Sequence, residues 1–253
     1  PVTAELARHN LPEAQVMCAD ATAVFADVPK GANTVVMLDP ARRTSRGRTW
    51  RLEDVQPPWS FVASVLKSVP AVVKLGPGVD RSQLLDLPVT YVGHRGDLVE
   101  ATVWSGFADQ WPGDRAVLIG PVGIEELPGR CPAPAPGELG PFVAEPHAAA
   151  IRAGSLSAID ESLHAVSEGI AYLTADEPVA SPWLTWFAVK EVLPLHVKAL
   201  RSWVRKHHVG TVEIKKRGVE VDPVIWRRKL KPSGPNCVTF ICTPTTGCLL
   251  YTS

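Results

Sequence analysis

Val35-Val36-Met37-Leu38-Asp39-Pro40-Ala41-Arg42-Arg43 is the stretch on which the reading of this chain turns. Thr34 leads into four apolar residues without two-residue alternation, the habit of a strand covered on both faces in a parallel sheet. Pro40 has no N–H and cannot continue a ladder, so a strand over 34–38 ends by projecting the Asp39 carboxylate at its C-terminal edge. In open α/β sheets ligands bind outside that edge. For an isolated Asp-Pro, the plainer alternative is a turn-capping carboxylate with solvated arginines.

The sequence on either side decides between these. Upstream, a helical pattern precedes 14–18, a short apolar run ended by Asp20 in Ala19-Asp20-Ala21-Thr22. Two strands that each close on Asp, with a helix-length connection between them, have the rhythm of βαβ units. Downstream, 39–50 reads as a loop crowded with Arg42, Arg43, Arg46 and Arg48, with Arg51 just beyond. A helix over 59–68 carries Phe61, Val62, Val65 and Leu66 on one face, and 71–75 is another buried strand, stopped by Gly76-Pro77-Gly78. Asp80 then caps a short helix. From residue 89 the period changes: 89–94 and 99–104 flank Arg95-Gly96-Asp97 as an antiparallel hairpin, followed by a strand at 116–119.

Residues 127–141, rich in proline and glycine, read as a linker. Beyond it the pattern gives helices at 146–152, 157–166, 182–187, 192–206 and 223–230, with strands at 211–215 and 238–242, an α+β arrangement. Trp183, Trp186, Phe187, Leu195, Leu200 and Trp203 are its expected core.

Composition limits the function by distribution rather than by total. Lys plus Arg and Asp plus Glu each number 26 in 253 residues, so whole-chain charge selects no partner. Residues 198–231 nonetheless hold 11 basic side chains against Glu213, Glu220 and Asp222, the footprint of a phosphate-binding surface. The five cysteines form no CxxC pair and are odd in number, which argues against a zinc site and a disulfide framework and for reduced, mostly buried thiols. No metal is expected. No apolar run approaches a membrane span and no basic-then-apolar leader opens the chain, so no membrane partner and a cytoplasmic location are expected. Pro1 enters a helical pattern at once, as a fragment would. The last six residues, 248–253, read as a translation of TGT CTC TTA TAC ACA TCT, the end of a transposase-based sequencing adapter, and are expected to be a non-native tail.

Four blocks in order, LDPARR (38–43), VVKLGPG (72–78), EPHAAAIRAG (145–154) and IKKRGVEVDP (214–223), resemble bacterial class I S-adenosylmethionine-dependent methyltransferases with a C-terminal THUMP-like domain. The resemblance covers essentially 1–247. It implies an α/β fold: a Rossmann-like methyltransferase domain over 1–126, incomplete for lack of its first strands, then the linker and a smaller α+β THUMP-like domain over 142–247. It implies S-adenosyl-L-methionine as cofactor, with Asp20 accepting from the adenine amino group beside Ala21, and Asp39 near the transferable methyl. Asp39, Pro40 and Arg42 become the expected catalytic corner. Arg43 and Lys74 are expected near the substrate, and Lys215, Lys216 and Arg217 as contacts to an RNA partner, a tRNA or rRNA. Amino-directed relatives often carry an aromatic residue where Ala41 or Arg42 stands, so the acceptor atom stays open.

Methyl transfer from a sulfonium depends on in-line approach more than on strong acid–base catalysis, so positioning should dominate, with Asp39 orienting a nitrogen and accepting its proton. The family's glycine-rich cofactor loop and ribose-binding acid would precede Pro1, so this chain is expected to bind the cofactor poorly and to be inactive. The alternatives are a small-molecule or protein methyltransferase, and a non-catalytic RNA-binding protein on a methyltransferase scaffold.

Overall fold

A computed structural model gives the fold and describes residues 2–29, 31, 33–41, 43–44, 47–48, 51–121, 123–245 and 249–252, with the backbone alone at 43–44, 47–48 and 249–252. In chain order, α1 (Val2–Asn10) and α2 (Ala21–Val24) precede β1 (Val36–Leu38), the ribbon strands β2 (Arg43–Thr44) and β3 (Gly47–Arg48), α3 (Trp59–Ser68) and β4 (Ala71–Leu75). Then come β5 (Val89–His94), β6 (Asp97–Ser105), β7 (Arg115–Gly120) and β8 (Gly123–Pro128). These strands build a six-stranded sheet in the order β1-β4-β6-β5-β7-β8. The pairs β1–β4 and β5–β7 are parallel, whereas β4–β6 and β7–β8 are antiparallel. The expected α/β class holds.

The remainder runs β9 (Phe142–Pro146), α4 (Ala148–Ala153), β10 (His164–Ala165), β11 (Leu173–Ala175), β12 (Leu184–Leu193), α5 (Val197–Lys206), β13 (Val209–Lys216), α6 (Pro223–Leu230), β14 (Asn236–Cys242) and β15 (Leu249–Thr252). A second sheet orders seven of these as β10-β11-β9-β12-β15-β14-β13. The chain forms two compact units: 1–88 with 101–112, and 89–100 with 113–253. The division does not follow 127–141. That stretch lacks helix and strand from 129 to 141, yet it is tied down inside the second unit, where Pro136 bridges Ala165 and a β-carbon on Gly129 would come within 2.6 Å of the Asp114 carbonyl.

In the first unit, α3 buries Val62, Val65 and Leu66, and β4 buries Ala71, Val73 and Leu75. The helical spacing of the first set and the alternation of the second make these elements form where the sequence places them. The Ser105 hydroxyl donates to the Leu66 carbonyl and ties β6 to the end of α3. In the second unit, Leu200, Trp203 and Val204 of α5 and Leu230 of α6 close over Val212, Ile214, Val238 and Phe240 of the parallel pair β13–β14. A second cluster joins Val143, Val166, Tyr172 and Ile241.

Several expectations need correction. Residues 14–18 form no strand, and α1 and α2 bury no residue, so the first of the two Asp-ended strands is absent. The opening strand is only 36–38 and is not covered on both faces: β4 flanks one side, and Met37 is 69% exposed. The arginine-rich loop contains the β2–β3 ribbon, and β8 was not anticipated. The helix expected at 157–166 is a 3₁₀ turn at Leu156–Ala158 followed by β10, and that expected at 182–187 is the start of β12. The helix read from 192 starts at Val197, because β12 runs to Leu193 and Pro194 follows. Leu195 is exposed, whereas Trp183, Leu200 and Trp203 are core.

Candidate functional site

The site is built from the corner that follows β1. Val36, Met37 and Leu38 pair in parallel with Ala71, Val72 and Val73, so the next residue on each strand, Asp39 and Lys74, emerges at the same edge. The Lys74 Nζ stands 4.0 Å from the Asp39 Oδ2, with both side chains substantially exposed. Pro40 is buried, and Ala41 exchanges backbone hydrogen bonds with Gln56, donating to its carbonyl at 2.7 Å and accepting from its N–H at 3.0 Å. Asp39 is thus held between a paired strand, a buried proline and a β-bridge, while its carboxylate faces solvent. Arg42 lies outside the described residues. Arg43 opens β2, paired to Arg48 through the backbone.

The loop after β4 shapes a cavity of about 340 Å³ lined by Gly78, Asp80 and Gln83 together with Arg51, Leu52 and Glu53. The Val79 N–H donates to the Gly76 carbonyl, and Asp80 caps the following 3₁₀ turn by accepting from the Ser82 N–H and hydroxyl. Arg51, Glu53 and Gln83 were not singled out as site residues. The Gly-Pro-Gly break after an apolar strand was the available signal for a cavity at this edge.

Asp20 is the N-cap of α2: its Oδ1 accepts from the Thr22 N–H at 2.8 Å and from the Thr22 hydroxyl at 2.7 Å. Those bonds hold its carboxyl below the ordinary range, so it is an anion. Ala21 is the first residue of α2. An ionised carboxylate has about four lone-pair sites. With two taken by Thr22, capacity remains for an amino group such as that of adenine, so this acceptor fits the chemistry of an adenosyl cofactor. Asp39 and Lys74 are brought together; the bonds of Asp20 to Thr22 stay on its own helix.

The third and fourth sequence blocks meet in the second unit. Lys215 reaches Glu145 at 2.7 Å and Glu213 at 3.3 Å, and Arg217 reaches Glu145 at 3.5 Å. The Arg217 guanidinium lies 4.9 Å from the centre of the buried Tyr172 ring, and the Lys215 ammonium 5.7 Å from that of Phe187. Burial pulls the Lys215 pKa down, but the hydrogen bond and charge of Glu145, with Glu213, outweigh it and raise the pKa. Burial followed by the Glu145 charge pushes Tyr172 up, against the opposing pull of Arg217. Two of the three residues expected to contact RNA are therefore turned onto a carboxylate of their own unit; Lys216 is exposed. Gly218, at φ 68°, serves packing, since a β-carbon there would meet Ile170 Cδ1 at 2.4 Å.

His147 closes the other side of this block. Its Nδ1 accepts from the Ala149 N–H at 3.1 Å and so caps α4. Its ring lies against Gly93 of β5, where a β-carbon would fall 2.3 Å from Cε1. Burial lowers its pKa, opposed by the charge of Asp97. Ala149, Ala150 and Ala153 are buried because only small side chains let α4 approach the sheet, and Gly154 ends the helix in the left-handed region at φ 69°. The EPHAAAIRAG block is thus a structural joint.

Of the described cysteines only Cys242 is buried, its thiol pushed up to about 11 by burial; Cys18 and Cys237 are exposed and Cys131 is intermediate. This corrects the expectation of mostly buried thiols. Among the described residues no group of three or more His, Cys, Asp or Glu is placed to hold a metal ion, and no helix is long and apolar enough to cross a membrane.

Comparison with known proteins places these features. The THUMP domain-like family matches residues 184–250, from the first residue of β12 through α5, β13, α6 and β14. Two relatives, both uncharacterized S-adenosylmethionine-dependent methyltransferases of Mycobacterium tuberculosis, one from strain CDC 1551 / Oshkosh and one from strain H37Rv, are each 31% identical over 255 residues. The match takes in 96% of this chain and 69% of each relative. A crystal structure of a protein taken to be a methyltransferase, from Porphyromonas gingivalis W83, superposes with a TM-score of 0.70 at 19% identity, covering 99% of this chain and 69% of that one, and so shares its fold.

Proposed function

The chain belongs to the S-adenosylmethionine-dependent methyltransferases, and from that premise we propose that the gene product takes S-adenosyl-L-methionine as cofactor and methylates RNA, with the THUMP-like part presenting the substrate. One observation carries the catalytic half of this reading: Asp39 is fixed at the C-terminal edge of a parallel strand pair, 4.0 Å from Lys74. When bound, the cofactor supplies an electrophilic methyl group on a sulfonium. Asp39 orients the accepting nitrogen of the target base and takes its proton, directly or through water. Pro40 and Ala41 hold the backbone at Asp39 in place, which matters because misplacement by about 1 Å can cost on the order of 100-fold in rate. Asp20 accepts from the adenine amino group through the capacity left by Thr22, with Ala21 beside it. Lys74 supplies positive charge for the RNA backbone at this edge, and Lys216 supplies it in the second unit.

The RNA half is supported by the match of 184–250 to the THUMP domain-like family and by the excess of basic residues within 198–231. Nucleoside mass spectrometry of RNA from cells with and without the gene tests it. A methylated nucleoside that disappears with the gene and returns with the wild type, but not with Asp39→Asn, is the expected result; an unchanged nucleoside profile would remove RNA as the substrate.

A further inference from the structure

The strongest uncommitted feature is a groove between α5 and α6. It is open, has a volume of about 580 Å³, and is lined by Lys198 and Arg201 of α5, Arg228 and Lys229 of α6, Lys231 just beyond it, and His196 at the start of α5. Among the described residues its lining holds no acid. Asp222, the N-cap of α6, feels the charge of one groove cation: its carboxyl is lowered by its helix N–H bonds and then by the charges of Lys216 and Arg228. Lys198, Arg228, Lys229 and Lys231 are exposed.

Resting on the RNA reading above, we infer that this groove is where the second unit grips the RNA, through phosphates rather than bases. The contrast with 215–217 supports the location. Lys215 and Arg217 are held by Glu145, so moving either onto a phosphate would strand a half-buried carboxylate. The groove cations face no such cost. A concave wall lined by one sign of charge also concentrates field and counter-ions more than a flat surface does. The lining contains no Phe, Tyr or Trp, and the nearby tryptophans are committed elsewhere: Trp203 is buried, stacked on His207 at 3.8 Å, and Trp226 packs against the core. Apart from the His196 imidazole, base stacking has no platform here, and backbone contacts of this kind position a nucleic acid without reading its sequence.

The test is the salt dependence of binding of a labelled stem-loop RNA to the full chain. Wild type is compared with the triple variant Lys198→Gln, Arg228→Gln, Lys229→Gln and with the double variant Lys215→Gln, Arg217→Gln, with thermal melting to confirm folding. Each phosphate contact removed lowers the slope of log K against log salt by about 1. The triple variant is expected to lose about 3 from the slope and at least about tenfold in affinity at 50 mM salt, while the double variant keeps the wild-type slope. A charge-preserving set, Lys198→Arg, Arg228→Lys, Lys229→Arg, restores the slope. A wild type with a steep slope and a triple variant with the same slope would overturn the groove alone. A wild type that binds RNA without salt dependence, or not at all, would overturn the RNA reading with it. Loss of binding to phosphatidylserine vesicles in the triple variant, with RNA binding unchanged, would reassign the groove to a membrane surface and equally refute the inference.

Discussion

Replacing Gly93 by alanine is a sharp structural test, because it probes how β5 and α4 are joined. The new β-carbon would lie 2.3 Å from His147 Cε1, 2.9 Å from Nδ1 and 3.0 Å from Nε2. Non-bonded carbons settle at about 3.5–4.0 Å, so the ring must retreat by more than about 1 Å. Retreat pulls Nδ1 from the Ala149 N–H, which it caps at 3.1 Å. Loss of an N-cap costs about 1 kcal/mol. Overpacking adds about 1–3 kcal/mol. The sum is a destabilisation of about 2–4 kcal/mol, or roughly 5–15 °C in melting temperature for a chain of this length. Denaturant unfolding of Gly93→Ala, His147→Ala and the double variant measures it. With the ring gone the glycine substitution should cost under about 0.5 kcal/mol, giving a coupling of about 1.5–4 kcal/mol. Additive single effects, or a Gly93→Ala variant as stable as wild type, would refute the contact as the reason this position is glycine.

Two further outcomes follow from the same unit. Glu145→Gln leaves Lys215 and Arg217 without their shared carboxylate, and because all three are only partly exposed the cost should fall between surface and buried ion pairs, about 1–3 kcal/mol in urea unfolding; a loss below about 0.3 kcal/mol would show that the pairs contribute nothing. The folded pKa of His147 is depressed, so the folded state favours the neutral ring: its contribution is present above the unfolded value of 6.5 and is lost as pH falls through the lower folded value. Stability should therefore drop below about pH 6.5 more steeply in wild type than in His147→Gln; parallel pH profiles would contradict this.

Where a single local interaction decides an element, the sequence was readable. The helix at 59–68, the strand at 71–75 and the helix at 223–230 appear at their expected bounds, the last because Asp222 accepts from the Val224 and Ile225 N–H groups and Pro223 suits a first turn. Where two readings shared one spacing, long-range pairing decided. Leu156, Ile159, Leu163 and Val166 have helical intervals, but Asp160 captures the Ser162 N–H and hydroxyl and turns the chain away. Trp183, Trp186 and Phe187 also suit a helix, yet five residues of β12 pair with β9, and aromatic side chains pack well on a sheet. At the candidate site, the Asp-Pro corner was legible because proline stops a strand. The inward turn of Lys215 and Arg217 was not, since their partner Glu145 is some seventy residues away in sequence.

The most direct test of the central claim is transfer of labelled methyl groups from S-adenosyl-L-methionine into RNA by the gene product, read by nucleoside mass spectrometry after ribonuclease digestion and compared between wild type and Asp39→Asn. Asp39 in its proposed role predicts a labelled nucleoside from wild type and a rate at least about 100-fold lower from the variant. Label appearing in protein or small molecules instead, or equal rates for the two proteins, would contradict it.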